Sequence, residues 1–116
     1  MRGYTYTCNN CGHTVYTSGP HLFYRDNSGN LKPYGHPSPI SEEARRRGIW
    51  GSYAILYCYR CDRTYKLVLY ERGVAAQLKC PECSNTDFNF GKEGDTGITC
   101  PQCKNGKLMS KLHWMS

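Results

Sequence analysis

Eight cysteines carry the chemistry of this chain, and all fall into Cys-x-x-Cys pairs: Cys8/Cys11, Cys58/Cys61, Cys80/Cys83 and Cys100/Cys103. A disulfide inside so short a loop constrains the unfolded chain little, so the pattern makes a poor disulfide scaffold. Thiolates at this spacing are metal ligands instead. A tetrahedral ion takes four sulfurs at about 2.3 Å, and one such turn supplies two of them. Four turns therefore make two sites with no cysteine left over and no position open to substrate, the arrangement of structural zinc. Two Zn2+ ions are the expected cofactors; iron, which accepts the same sulfur tetrahedron, is the alternative.

Four turns can pair in three ways. Sixteen residues lie between Cys83 and Cys100 and 18 between Cys61 and Cys80, and either spacing fits a compact site. Joining Cys58/Cys61 to Cys80/Cys83 would send Cys8/Cys11 to Cys100/Cys103 at the far end of the chain. The flanking residues favour a sequential solution. Thr5-Tyr6-Thr7 leads into Cys8, Tyr53 to Tyr57 leads into Cys58, and Thr64 to Tyr70 returns from it, all rich in β-branched or aromatic residues. Cys8/Cys11 is thus expected with Cys58/Cys61, and Cys80/Cys83 with Cys100/Cys103.

The runs Cys8-Asn-Asn-Cys11-Gly12, Cys80-Pro-Glu-Cys83 and Cys100-Pro-Gln-Cys103 resemble the knuckles of the zinc-ribbon superfamily, whose turns are like those of rubredoxin. Pro81 and Pro101 preset φ at about −65° after the first ligand, and a glycine after the second would let the backbone take positive φ so that amides point at sulfur. Gly12 alone is the usual glycine; Asp62, Ser84 and Lys104 stand at the other three positions. The resemblance covers roughly half the chain. It implies a small, metal-stabilised, β-rich fold of two tandem zinc-ribbon modules. The Cys-x-x-Cys-x-Gly-x-Gly repeat of the DnaJ cysteine-rich domain is missing.

On this reading, residues 1–76 form the first module and 77–116 the second, with 12–57 a Tyr/Arg-rich insertion of 46 residues. Within the insertion, His21 to Arg25 and Leu31 to Tyr34 flank the polar run Asp26 to Asn30, which predicts a hairpin. After a proline-broken loop, Ser38 and Pro39 suit an N-cap and first helical position. Glu42 and Glu43 suit the positive end of that short helix, Arg45 to Arg47 the negative end, and Gly48 its stop. Residues 73–78 are the expected join between modules. In the second module, Asp87 to Phe90 reads as a strand, Gly91 to Gly97 as a turn, Ile98-Thr99 as the entry to Cys100, and Gly106 onward as a last strand.

At 116 residues, 39% hydrophobic, with a mean hydropathy of −0.67, the chain has little interior to divide between two modules. Coordination is expected to supply much of the folding free energy, on the order of 10–16 kcal/mol for structural zinc. The longest apolar stretch, Tyr53 to Tyr59, is far short of the ~18 residues a spanning helix needs, and the first residues lack an apolar signal region. A soluble cytoplasmic protein without a membrane partner is the expectation. The formal charge of +6 counts every cysteine as neutral; two divalent ions and eight thiolates bring it near +2.

All eight arginines and all ten tyrosines lie in residues 1–76. Arginine forks suit phosphate or carboxylate, and tyrosines offer rigid stacking area, a combination fit for nucleic acid and for protein interfaces. The candidate contact residues are Arg25, Arg45, Arg46, Arg47, Arg60 and Arg63, with Tyr24, Tyr34 and Trp50. Competing structural roles are a solvated helix face for Arg45 to Arg47, core cover for about half of Tyr53, Tyr57, Tyr65 and Tyr70, and packing on the second ribbon for Trp114. His13 is expected at the surface or beside the sulfurs rather than as a ligand, and His21, His36 and His113 lack the spacing of a third site. No Ser/His/Asp set, carboxylate pair or glycine-rich phosphate loop is legible, and metal-locked sulfurs cannot serve as redox thiolates. The expected function is therefore non-enzymatic: a nucleic-acid-associated accessory factor bound to RNA or DNA, or a module docked on a larger protein assembly, with no small-molecule substrate.

Overall fold

Runs of aromatic and β-branched residues become strands here, and the polar or glycine-bearing segments between them become turns. A computed structural model describes residues 2–35, 39–88 and 93–115. The elements are β1 (Arg2–Cys8), β2 (Thr14–Arg25), β3 (Leu31–Pro33), α1 (Glu42–Arg47), β4 (Gly51–Cys58), β5 (Arg63–Glu71), β6 (Val74–Ala75), β7 (Gly94–Thr99) and β8 (Lys107–Met115). Antiparallel pairing links the strands in the order β6-β5-β4-β2-β1-β8-β7, with β3 on β2. The protein is small and β-rich with one short helix among the described residues.

The expected hairpin of the insertion forms, with Phe23 opposite Pro33 and Arg25 opposite Leu31. Its turn is held by Asp26, whose Oδ1 accepts the amides of Ser28 and Asn30, each at 2.9 Å. The helix starts later than expected. Ser41 is its N-cap, accepting the Ala44 amide at 3.0 Å, while Ser38 lies outside the described residues. Gly94 to Gly97 forms the start of β7 rather than part of a turn, because Gly94 and Asp95 pair with Ser110 and Met109. Residues 89 and 90 of the expected strand, and the Trp114 side chain, lie outside the described residues. Residues 74–75, in the expected join, add an edge strand to β5.

The core is largely aromatic. Tyr4 and Tyr6 from β1, Tyr57 from β4 and Leu108 from β8 close on Cys8 and Cys100, and Tyr6 meets Tyr57 edge-on at 6.1 Å. Of the β4 and β5 tyrosines, Tyr53 and Tyr57 are buried while Tyr70 is exposed. Four of the 14 buried apolar residues described are themselves cysteines, so the interior depends directly on what the sulfurs hold.

Candidate metal centres

β1 runs into the first knuckle at Cys8, and β8 leaves the last knuckle at Lys107. Their antiparallel pairing sets Cys8 opposite Leu108 and so brings the two knuckles side by side. Asn9 fastens them: its amide donates to the Lys107 carbonyl and its Oδ1 accepts the Lys107 amide, both at 3.0 Å. Cys8, Cys11, Cys100 and Cys103 therefore form one cluster, and Cys58, Cys61, Cys80 and Cys83 the other. This corrects the expected sequential pairing of Cys8/Cys11 with Cys58/Cys61 and of Cys80/Cys83 with Cys100/Cys103. Local strand propensity cannot see that the last strand returns to the first, and that pairing decides the grouping. Each cluster takes one turn from either side of residue 77, so the ligand sets do not follow a division into 1–76 and 77–116.

The geometry fits a tetrahedral ion. Sulfurs at about 2.3 Å from a central ion lie about 3.8 Å apart along the tetrahedron edges. The Cys8–Cys103 and Cys58–Cys83 sulfurs are 3.6 Å apart, and the Cys11–Cys100 and Cys61–Cys80 sulfurs 3.7 Å apart. Disulfide sulfurs would be at about 2.05 Å, and all eight cysteines are free. In every turn the first cysteine is buried, sealing one side of the site.

The knuckle backbone explains the residues after each second ligand. Gly12, Asp62, Ser84 and Lys104 have φ of 80°, 54°, 62° and 62°, so three non-glycine residues adopt the left-handed conformation usual for glycine. The Gly12, Ser84 and Lys104 amides turn back to the carbonyls of Cys8, Cys80 and Cys100 at 3.2, 3.0 and 2.9 Å. The Asn10 and Cys11 amides both donate to the Cys8 sulfur at 3.3 Å.

Bringing four thiols together without a cation sets them against one another. The Asn105 amide, then the Asn10 side chain, draw Cys103 down to about 5. Burial opposes ionisation of Cys80, yet the Cys83 and Glu82 amides bring it down to about 6. The His13 amide works to lower Cys11, but burial and the sulfurs of Cys8, Cys100 and Cys103 carry it up to about 12. The Cys83 sulfur, then burial, likewise raise Cys61 to about 12. A divalent cation among the four sulfurs removes this conflict, since all can then be thiolates.

Several supporting residues are not recognisable from the cysteine spacing. Asn10 Nδ2 lies 3.6 Å from the Cys103 sulfur, and buried Asn85 donates through Nδ2 to the Cys58 sulfur at 3.7 Å. Gly106, three residues past Cys103, has no room for a side chain: a Cβ there would come within 2.5 Å of the Cys8 sulfur and 2.7 Å of Asn10 Cβ. Asp62 Oδ1 meets His13 Nε2 at 2.9 Å and accepts from Tyr57 Oη at 2.8 Å, while its Oδ2 accepts from Gln102. Burial disfavours the charge, but the His13, Gln102 and Tyr57 hydrogen bonds outweigh it and hold this carboxyl below the usual range. The signal for such residues is their type, Asn, Gly or a carboxylate, within a few positions of a ligand.

Of the nine residues nominated for partner contact, Tyr24, Arg25, Tyr34, Arg47 and Trp50 lie around β2, where the Tyr34 and Trp50 amides reach the Leu22 and Phe23 carbonyls at 2.9 Å, while Arg60 and Arg63 flank Cys61. Tyr24 is buried. Arg25 grips Glu71 through two bonds of 2.6 and 2.9 Å, and Arg47 reaches the Arg25 carbonyl at 3.3 Å and pairs with Glu43 at 3.4 Å. Trp50 lies under the Arg72 guanidinium, 3.7 Å from ring centre to carbon, and Tyr34 is half-buried. Arg45, Arg46, Arg60 and Arg63 are exposed, Arg63 with a long contact to Glu82 at 3.4 Å.

A different surface collects aromatic and cationic groups. Tyr16 stands opposite Thr5, and Thr5 opposite Lys111, so β2, β1 and β8 share one face there. Tyr16 is 60% exposed and meets His113 edge-on at 5.8 Å. Lys107, Met109 and Lys111 alternate along β8, with Met109 across from Thr7 and Thr7 from Thr14. Beside this face, an open cleft of about 500 Å³ is lined by His13, Tyr16, Asp62 and Arg63 among others. The chain matches no protein-family model, no curated protein and no solved structure.

Proposed function

We propose that both clusters hold zinc as structural, ribbon-like centres and that the protein works by binding single-stranded nucleic acid. Coordination supports the non-catalytic half of this reading, because four sulfurs saturate each ion and leave no position for a substrate. The β2–β1–β8 face carries the other half. An exposed tyrosine bordered by lysines provides a stacking platform and phosphate neutralisation together, the two ingredients of sequence-tolerant single-strand binding. Bases would stack on Tyr16 while Lys107, Lys111 and Arg63 meet phosphates. Asp95, in the same row as Met109, already accepts the Gly97 amide at 2.8 Å.

The test is fluorescence anisotropy of a labelled oligothymidylate with metal-loaded protein at two salt concentrations. Three phosphate contacts give a slope of about −2 in log K against log salt, roughly a twentyfold loss between 50 and 200 mM. Tyr16→Ala is expected to weaken binding about tenfold, within the range for one stacked base. Absence of binding, or binding indifferent to salt, rejects the nucleic-acid reading. Salt-indifferent capture of a polypeptide would favour a second reading, docking on a larger protein. Leu22, Ser52 and Tyr70 share one register row, and Leu22 and Tyr70 are exposed there.

A further inference from the structure

We infer that Asp62 couples the two metal centres, so that filling one raises the affinity of the other. Three side chains meet at this carboxylate, and they and Asp62 itself each lie within two positions of a cysteine ligand. Asp62 directly follows Cys61, and Tyr57 directly precedes Cys58. His13 lies two residues past Cys11, and Gln102 sits between Cys100 and Cys103. Asp62 thus belongs to a knuckle of the Cys58 centre, while two of its three partners come from the two separate knuckles of the Cys8 centre. The third, Tyr57, extends into the tyrosine core shared with Cys8 and Cys100. Side-chain exposures of 18% for Asp62 and 24% for His13 shield the contact from solvent.

An ion at Cys58 and Cys61 fixes the turn that holds Asp62 at its φ of 54°, with Oδ1 on His13 and Oδ2 on Gln102. Those oxygens then position His13 and Gln102, and with them the Cys11 and Cys100/Cys103 turns. Filling the Cys8 centre fixes the same donors from the other side, so the coupling is reciprocal. Asp62 is a positioning residue, since it contacts neither ion site directly.

Asp62→Gly isolates the effect. Glycine takes the left-handed knuckle backbone more readily than aspartate, so the substitution removes the carboxylate and spares the turn. The measurement is native mass spectrometry of the full chain during titration with Zn2+, reading the share of molecules with one ion at half-saturation. Two equal independent sites give about one half, and tenfold coupling lowers that to about one quarter. The wild type is expected to show the depleted one-ion species, and Asp62→Gly to restore it. His13→Ala and Gln102→Ala, which leave all eight sulfurs and the Cys58 turn unchanged, are expected to restore it too. Equal one-ion shares in wild type and Asp62→Gly overturn the coupling. A rise in Asp62→Gly alone, with neither partner variant following, also overturns it, since the effect would then be confined to one knuckle.

Discussion

The Cys58 centre joins turns with 18 residues between them, whereas the Cys8 centre joins turns with 88 between them. The ligands are the same and the closing problems are not. Closing the longer segment costs about 1.4 kcal/mol more in chain entropy if each loop closes alone. The Cys58 centre needs little beyond the β4–β5 hairpin and the short segment that follows it. The Cys8 centre needs the β1–β8 register, the Asn9 bridge to Lys107 and a bare Gly106. Four identical ligands can thus be held by local connection in one place and by sheet topology in another.

Removing both ions erases the difference between the two centres. Chelation is expected to abolish the native circular dichroism spectrum, because the coordination energy lost, on the order of 10 kcal/mol or more per site, exceeds what so small a core supplies. Retention of the spectrum after both ions have left would show that packing alone holds the sheet.

Next in size are the single-ligand variants. Cys100→Ser is expected to leave one tightly held ion and to lose hydrogen-exchange protection in β1 and β8, with β4 and β5 still protected. Cys80→Ser is expected to remove the ion from the Cys58 centre instead. Loss of β4–β5 protection in Cys100→Ser would place the ligand sets differently. Gly106→Ala should act first on the Cys8 centre, destabilising it by about 1–3 kcal/mol as an overpacking change, read as earlier metal release during denaturant titration. The smallest contrast lies between the two asparagines. Asn85→Ala, at a buried site, should cost about 1–2 kcal/mol, and Asn10→Ala, at an exposed one, less. Equal costs would mean that burial does not separate the two sulfur environments.

What could be read from the residues alone follows the same division. The eight ligands, the Asp26 turn, the β4–β5 return and the strand after Gly106 were legible because their signals are local: Cys-x-x-Cys spacing, an Asx turn, runs of β-branched and aromatic residues. The left-handed backbone at Asp62, Ser84 and Lys104 was not legible, because these residues depart from the glycine usual at that knuckle position. The pairing of the turns was not legible, because it depends on β8 adding to β1, a contact between strands about one hundred residues apart. Helix onset moved to Ser41 because the cap that forms is the one whose hydroxyl reaches the Ala44 amide. Partner candidates chosen by composition met tertiary competition: Glu71 engages Arg25, the core takes Tyr24, and Arg72 covers Trp50. Tyr16 escaped notice because a single exposed tyrosine on a strand has no distinguishing pattern until its cross-strand neighbours are known.

The nested connectivity also orders events during synthesis. Cys8 and Cys11 leave the ribosome before the rest of their quartet and cannot complete their tetrahedron until Cys103 has been made, 92 residues later. At about 5–20 residues per second that is a wait of roughly 5–18 s, spent as unpartnered thiols exposed to oxidants and to competing metal ions. The Cys58 quartet is complete 20 residues sooner, so in the nascent chain the inner knot is tied before the outer one.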